Sequence, residues 1–293
     1  MKIRFGFTIG AETAPEGLGS LVDDLERLGF DSLWVAEVLL QPSLDPLVAL
    51  SYAAGRTQKL KLGTHLILPG RHPVTLARQL AHLDRASAGR LLLVGVLGLP
   101  DEADAGAQGI GRKQRAAAIE EMVPLLRALW RGEAVSHEGP LYRLSEVTVT
   151  PTPRQQPLEM WLGGKAKGAL ERCGRLGDGW MPGLMLPAEA ARLRPAIEES
   201  AARAGRTMDP EHYGANVFYA WGPLPKGVTD FFESQRGAGG ADIVPVGLDA
   251  VRGRIREWTD VGFSKFLLRP LVPPVDMRAE LEMLAREILP LTT

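Results

Sequence analysis

Two ionisable side chains stand within or at the end of apolar runs of this 293-residue chain. Glu37 follows the apolar residues 33–36, and His65 interrupts the apolar run KLGTHLILPG, residues 61–70. Burial of a carboxylate is costly unless it has a partner, so the sequence predicts a partner for Glu37. Either side chain could donate or accept a proton in catalysis. The alternative for His65 is a core histidine that is bonded to a backbone carbonyl.

A pair of glycines offers a different kind of chemistry. Gly163-Gly164 is followed by Lys165 and by a predicted helix that starts near Ala166. Free N–H groups at a helix start can hold an anion, glycines allow it to approach closely, and a lysine adds positive charge. The pattern therefore predicts a phosphate site. The alternative is a flexible turn with a solvated lysine.

The elements that carry these residues repeat along the chain. Four strand-like runs begin near Ile3, Ser32, Lys61 and Arg90, 29 residues apart, with helical patterns of apolar residues between them. A repeated unit of one strand and one helix is a βα module. Four further strand-like segments follow at 158–164, 178–183, 212–221 and 264–270. The pattern thus predicts eight βα units.

Eight βα units on a chain of this length predict a single-domain (β/α)₈ TIM barrel over residues 1–293. Additional segments follow strands 4 and 7, and both are predicted to lie at the active-site face. The first contains a helix over 113–131 and a hairpin over 133–151. The alternative, an open doubly wound sheet, would carry G-x-G-x-x-G after its first strand. The segment found there, GAETAPEGLG, does not match.

In a barrel the active site lies where the carboxyl ends of the strands meet. The residues at these predicted ends form a mostly apolar cup, which suits a flat aromatic ligand. They are Thr8-Ile9, Glu37, Thr64-His65-Leu66, Leu97-Gly98, Gly163-Gly164, Trp180-Met181, Trp221 and Arg269.

Composition excludes several other classes of protein. The net charge is -1 without a basic stripe, which argues against nucleic-acid binding. No apolar stretch is long enough for a signal peptide or a membrane span. The single cysteine, Cys173, excludes disulfides, and no His/Cys/Asp/Glu cluster has metal-site spacing, so we expect no metal. The simplest compartment is the reducing cytoplasm.

Several fragments, in order, resemble the bacterial luciferase-like monooxygenase superfamily and, within it, the branch that uses the deazaflavin coenzyme F420. They are GFDSLWVAE, KLGTHLILPGRHPVTLARQLAHLDRASAGRLLLVGV, LLRALWRGE, PTPRQQPLEMWLGG and LGDGWMPG. The resemblance implies a TIM barrel that holds the cofactor in its mouth and assembles as a homodimer. It also implies that Gly163-Gly164 holds the cofactor phosphate with help from Lys165.

The resemblance further implies a non-prolyl cis peptide between His65 and Leu66, behind the cofactor ring. The Asp-Gly-Trp sequence at 178–180 is expected to pass the cofactor tail. The cofactor-binding residues implied in this way are Thr64, His65, Leu66, Leu97, Gly163, Gly164, Lys165, Gly179 and Trp180.

One departure from the family concerns the chemistry. The family usually has Asp-His or Glu-His after the second strand, whereas this chain has Glu37-Val38. The catalytic acid must then be Glu37, His65 or a bound water, unless the reaction needs none. The resemblance favours an F420-dependent oxidoreductase that transfers a hydride to or from a small organic substrate. The alternatives are an FMN-dependent monooxygenase that uses dioxygen, and a homologue that binds the cofactor without turnover.

Overall fold

The computed structural model describes residues 1–10, 13–99 and 102–291 and has the predicted barrel architecture. Two antiparallel strands form a separate hairpin, β5 (Val135–Glu138) and β6 (Arg143–Val147). The eight parallel strands of the barrel are β1 (Arg4–Ile9), β2 (Ser32–Ala36), β3 (Lys61–Ile67), β4 (Leu91–Val96), β7 (Met160–Gly163), β8 (Gly179–Met181), β9 (Gly214–Tyr219) and β10 (Lys265–Pro270).

The parallel sheet has the order β8-β7-β4-β3-β2-β1-β10-β9. A parallel bridge between Trp180 and Tyr213 joins β8 to the start of β9, and the Trp180 N–H donates to the His212 carbonyl at 2.9 Å. This contact brings the two ends of the sheet together. The eight strands and their order confirm the (β/α)₈ prediction.

Ten helices surround and connect the strands within the described ranges. They are α1 (Leu18–Leu28), α2 (Pro46–Arg56), α3 (Pro73–Ala86), α4 (Glu102–Gln108), α5 (Arg115–Leu129), α6 (Lys167–Leu176), α7 (Pro187–Arg203), α8 (Lys226–Arg236), α9 (Leu248–Asp260) and α10 (Met277–Glu287). None of these described helices combines the length and the apolar character that a membrane crossing needs.

The interior of the barrel is filled with side chains below the mouth. Large apolar residues from five strands pack there: Trp34, Val94, Trp161, Met181 and Leu267. Gly63 makes room for the Trp34 indole, because a Cβ at this position would lie 2.3 Å from its ring atoms. The interior is therefore a packed core, which leaves the mouth as the place for a ligand.

Two helices of the outer shell end in the same way. Gly29 after α1 has φ 84°, and Gly262 after α9 has φ 85°. The next residue donates its N–H back to the last turn, from Phe30 to Leu25 at 3.1 Å and from Phe263 to the Trp258 carbonyl at 3.0 Å. This is the Schellman arrangement, in which a left-handed glycine ends the helix.

The two insertions lie at different ends of the barrel. The hairpin follows α5, which returns the chain to the amino end of β7. The hairpin therefore lies at the end of the barrel opposite the mouth. It packs on α5, where the Glu121 carboxylate accepts the backbone N–H groups of Leu141 and Tyr142 at 3.1 and 3.0 Å. The prediction of an active-site position was therefore wrong for the hairpin, because that rule applies to segments that directly follow a strand.

The insertion after β9 does lie on the mouth side, as predicted. It contains α8 and a short 3₁₀ turn, Gly240–Ile243, and Phe232 is buried with Ile243 and Val244 in a small core of their own. Arg236 joins the insertion to the loop after β8. Its Nη1 donates to the Leu184 carbonyl at 2.7 Å, and its Nη2 lies 2.9 Å from Glu189 Oε2.

Replacement of Gly29 by alanine should destabilise the protein by about 1–2 kcal/mol, because a Cβ is strained in the left-handed conformation. Gly253→Ala is the matched control. Gly253 lies within α9, and nothing comes within 4 Å of a Cβ built there. The control should be neutral or stabilising by up to about 1 kcal/mol. Urea unfolding measures both changes, and equal effects would contradict the assignment.

Candidate active site

Glu37 lies directly after β2, at the mouth, and its side chain is 6% exposed. Its Oε1 accepts from Arg71 Nη2 at 2.5 Å, and its Oε2 accepts from the Ile67 N–H at 2.8 Å. Burial raises the pKa of Glu37 above its ordinary value, while the Arg71 charge and the Ile67 N–H oppose the rise and Asp45 adds slightly to it. The predicted partner thus exists, and it is an arginine 34 residues further along the chain.

Arg71 reaches Glu37 because the chain turns sharply after β3. Gly70 has φ 82°, and a Cβ there would lie 2.0 Å from the Gln108 carbonyl oxygen. Arg71 also donates from Nε to the Ile67 carbonyl at 2.9 Å, which fixes the direction of its guanidinium. The turn therefore holds the cation beside the mouth.

His65 points into the barrel above Trp34, and the two ring centroids are 5.3 Å apart. Both ring nitrogens are buried, and neither has a hydrogen-bond partner among the described residues. Burial, with a smaller contribution from Arg269, lowers the pKa of His65 to about 4, so the ring is neutral at pH 7. A carbonyl-bonded core histidine, the alternative weighed above, does not describe this arrangement.

The expected cis peptide between His65 and Leu66 is absent. The cis bonds among the described residues precede Pro151 and Pro157. β3 is regular through this point, with Leu66 and Ile67 in register with Gly95 and Val96 of β4. This prediction was wrong because continuous pairing keeps the segment in an ordinary extended conformation.

Three other predicted cofactor residues do not aim their side chains into the mouth. Thr64 and Leu66 alternate with the inward-facing Gly63 and His65, and they are 0% and 1% exposed. Leu97 packs against the core between sheet and helices. Because side chains alternate along a strand, a ligand in the mouth would meet only the backbone of Thr64 and Leu66.

The Gly163-Gly164 turn lies at the mouth, directly after β7. Gly164 has φ 108°, and a Cβ there would lie 2.7 Å from the Ala169 Cβ. Only glycine fits that geometry without strain. Lys165 and Lys167 are exposed, and α6 starts without a side-chain cap or an acidic residue in its first turn. The turn, the open helix start and the two cations form a suitable place for a phosphate.

The Asp-Gly-Trp sequence serves a different purpose from the one expected. Gly179 begins β8 at the end away from the mouth, and a Cβ there would lie 2.4 Å from the Trp161 indole. Trp180 is 0% exposed, and its Nε1 donates to the Gly164 carbonyl at 2.9 Å. Direct contact of these two residues with a cofactor is not compatible with their position. Trp180 instead supports the glycine turn from behind.

Asp178 joins three elements at the same lower end of the barrel. Its Oδ2 accepts from Arg127 Nη2 at 2.6 Å and from the Met160 N–H at 2.9 Å, and its Oδ1 accepts from Arg206 Nη2 at 2.9 Å. The sequence motif is thus explained by structural hydrogen bonds.

A buried polar cluster at the end of β4 was not predicted. Asp104 Oδ2 accepts the Leu99 N–H at 2.9 Å and Gln108 Nε2 at 2.5 Å, and Arg115 Nη2 lies 3.5 Å away. Arg115 also donates to the Leu99 carbonyl. The cluster fixes the loop after β4 beside the mouth. An acidic residue in a short helix, followed by an arginine at the start of the next helix, is too common a sequence pattern to have revealed this cluster.

The described ranges contain no group of three or more His, Cys, Asp or Glu residues that could hold a metal ion. Cys173 is buried and donates to the Gly179 carbonyl at 3.3 Å, and burial raises its pKa to about 12. The groups in place at the mouth are therefore a paired carboxylate, a neutral histidine, cations and the glycine turn.

Comparison with known proteins agrees with this architecture. The sequence profile of the luciferase-like monooxygenase family matches residues 2–236. The chain therefore belongs to the luciferase-like monooxygenase family, which confirms the resemblance inferred from its motifs. An F420-dependent glucose-6-phosphate dehydrogenase of Beutenbergia cavernae is 30% identical over 334 aligned residues, which cover 98% of this chain and 97% of that protein.

Two solved structures share the fold. A monooxygenase from Streptomyces bottropensis has a TM-score of 0.80 at 23% identity, over 98% of this chain and 99% of its own. The coenzyme F420-dependent tetrahydromethanopterin reductase of Methanopyrus kandleri has a TM-score of 0.79 at 20% identity, over 99% of both chains. At these identities the likeness supports the fold alone.

The neutral state of His65 should make the protein less stable in acid. Its folded pKa of about 4 lies below the ordinary value of 6.5, so the unfolded chain binds the proton more tightly. Stability attributable to this group is complete above pH 6.5 and falls by roughly 3 kcal/mol as the pH falls to 4. Urea unfolding of wild type and His65→Asn should give parallel curves above pH 7 and a shallower acid loss for the variant. Equal acid losses would contradict the assignment.

Proposed function

We propose that this protein is an F420-dependent oxidoreductase that transfers a hydride between the deazaflavin cofactor and a small organic substrate. The observation that carries the proposal is the pairing, at one mouth, of a glycine turn beside an uncapped helix start and two lysines with a neutral histidine above an apolar floor. The F420-dependent relative at 30% identity, aligned over nearly the whole of both chains, supports F420 as the cofactor.

The glycine turn fits the phosphate of the cofactor. Gly164 has the backbone that only glycine adopts easily, and its carbonyl is held by Trp180 at 2.9 Å, so the turn is already formed. The start of α6 adds unpaired N–H groups, and Lys165 and Lys167 add positive charge. These residues would hold the phosphate without any change of fold.

We expect the ring of the cofactor to lie at the centre of the mouth. Val96 and Gly163 are close across β4 and β7, with 3.3 Å between a Cβ built on Gly163 and the Val96 Cγ1. Both ring nitrogens of His65 are buried and without a hydrogen-bond partner among the described residues, so they would bond polar atoms of a ring or a substrate only after the side chain turns toward the mouth. F420 supplies the carbon that gives or takes the hydride, while the protein binds, orients and excludes competing reactions.

A sugar phosphate is the first substrate to test, since the Beutenbergia cavernae relative is named for glucose 6-phosphate. The mouth provides cations for such an anion. Arg71 is one-quarter exposed beside Glu37, and Arg269 lies at the end of β10, where its charge acts on His65. Hydride transfer to a carbonyl carbon requires a proton to reach its oxygen, and hydride transfer from an alcohol carbon requires the proton to leave; His65 is the candidate for this exchange.

An FMN-dependent monooxygenase is the second candidate, because FMN also combines a tricyclic ring with a phosphate. The likeness to the Streptomyces bottropensis monooxygenase is compatible with it at the level of fold. A third candidate, a homologue that binds the cofactor without turnover, follows from Val38 in place of the usual histidine. The homodimer implied by the family resemblance stays a prediction, and analytical ultracentrifugation would check it.

Titration of the purified protein with F420 and, separately, with FMN distinguishes the first two candidates. We expect F420 fluorescence to be quenched with a dissociation constant in the micromolar range or below, and FMN to bind at least about tenfold more weakly. Oxidation of glucose 6-phosphate would then be followed by loss of F420 absorbance. Tight FMN binding with no response to F420 would refute the proposal, and F420 binding without any turnover would favour the third candidate.

Gly164→Ala should weaken F420 binding by at least about tenfold, because the new Cβ would be strained at φ 108° and would meet Ala169. Gly55→Ala is the matched control. It lies in the last turn of α2, outside the proposed phosphate site, and nothing comes within 4 Å of a Cβ built there. The control should bind F420 as the wild type does. Unchanged binding by a folded Gly164→Ala protein would place the phosphate elsewhere.

A further inference from the structure

Glu37 makes hydrogen bonds to both ends of the short segment 65–67 of β3. Its backbone N–H donates to the His65 carbonyl at 3.0 Å, and its Oε2 accepts the Ile67 N–H at 2.8 Å. β2 ends at Ala36, so no strand carbonyl of β2 remains for Ile67. The side-chain carboxylate takes the place of that missing carbonyl. The pairing of β2 with β3 is thus extended by one side chain.

Arg71 completes this arrangement. It donates to Glu37 Oε1 at 2.5 Å and to the Ile67 carbonyl at 2.9 Å. Both Glu37 oxygens are therefore engaged, and the Ile67 residue is held at its N–H and at its C=O. His65, whose ring lies at the mouth, is two residues before Ile67. The backbone carbonyl of His65 accepts the Glu37 N–H.

We propose that Glu37 is a positioning residue, which together with Arg71 holds segment 65–67 and the His65 ring in place at the mouth and does not itself contact cofactor or substrate. The inference rests on the proposed function for the identity of the ligand. Release of Glu37 toward a ligand would leave the Arg71 cation and the Ile67 N–H without this partner, in a site where the carboxylate is 6% exposed. Such a loss is costly for buried charged groups.

The test compares Glu37→Gln, Arg71→Met and the double variant in three measurements without substrate. These are the midpoint of urea unfolding, the His65 Cε1–H resonance in the NMR spectrum, assigned by its loss in His65→Gln, and the dissociation constant for F420. Arg71→Met leaves the buried Glu37 carboxylate without its cation, and Glu37→Gln leaves the part-buried Arg71 without its anion, so we expect a lower midpoint and a shifted His65 resonance. The double variant removes the unpaired charge together with the pair that holds His65, so it should recover the midpoint in large part, keep the His65 resonance shifted, and bind F420 within about threefold of wild type.

Arg78→Met is the matched control, because Arg78 is an exposed arginine on α3. It should leave all three measurements unchanged. Arg71→Lys keeps the cation but cannot make the same pair of bonds, so it should fall between wild type and Arg71→Met. It replaces Arg71→Met in the comparison if that protein does not fold.

A double variant that recovers the wild-type midpoint but loses F420 affinity by thirtyfold or more would overturn the proposal, because Glu37 would then contact the cofactor. Single variants that leave the His65 resonance in place would also overturn it. If the wild type does not bind F420, the proposed function fails, and the midpoints and the resonance still decide whether Glu37 and Arg71 position His65.

Discussion

The burial of one carboxylate at the rim of an apolar barrel determines how the mouth is built. A buried Glu37 needs a cation and hydrogen-bond donors, and Arg71 and the Ile67 N–H supply them. To do so, the chain must turn at Gly70 immediately after β3. The position of His65, the path into α3 and the charge at the mouth all depend on this requirement.

Packing below the mouth limits where chemistry can occur. Trp34 and Trp161 occupy the barrel interior, and glycines on neighbouring strands give them room. A ligand can therefore enter only as far as the level of His65 and Gly163. At that level the mouth provides an apolar floor, a neutral imidazole and a glycine turn that Trp180 supports from behind. These features suit a ring that carries a phosphate.

The barrel could be predicted from the sequence because the patterns that indicate it are local and repeated. Strand-like runs 29 residues apart, and glycines that end helices as at Gly29, depend only on near neighbours. The pairing of Glu37 with Arg71 depends on how two strands and a turn meet across 34 residues, and no spacing rule encodes it. The family resemblance pointed to the glycine turn, whose role as the phosphate site stays a prediction, but transferred a cis peptide to a strand that is regular here.

The Asp-Gly-Trp motif shows why the position of a residue along a short strand is hard to predict from sequence. β8 has three residues, so an error of two positions moves Gly179 from the mouth to the opposite end. The most direct test of the whole account is a crystal structure of the protein with F420 bound. We expect the phosphate against Gly164 and the start of α6, the ring in contact with His65, and Glu37 still bonded to Arg71 and the Ile67 N–H. A cofactor bound elsewhere, or a Glu37 carboxylate turned from Arg71 onto the ring, would contradict it.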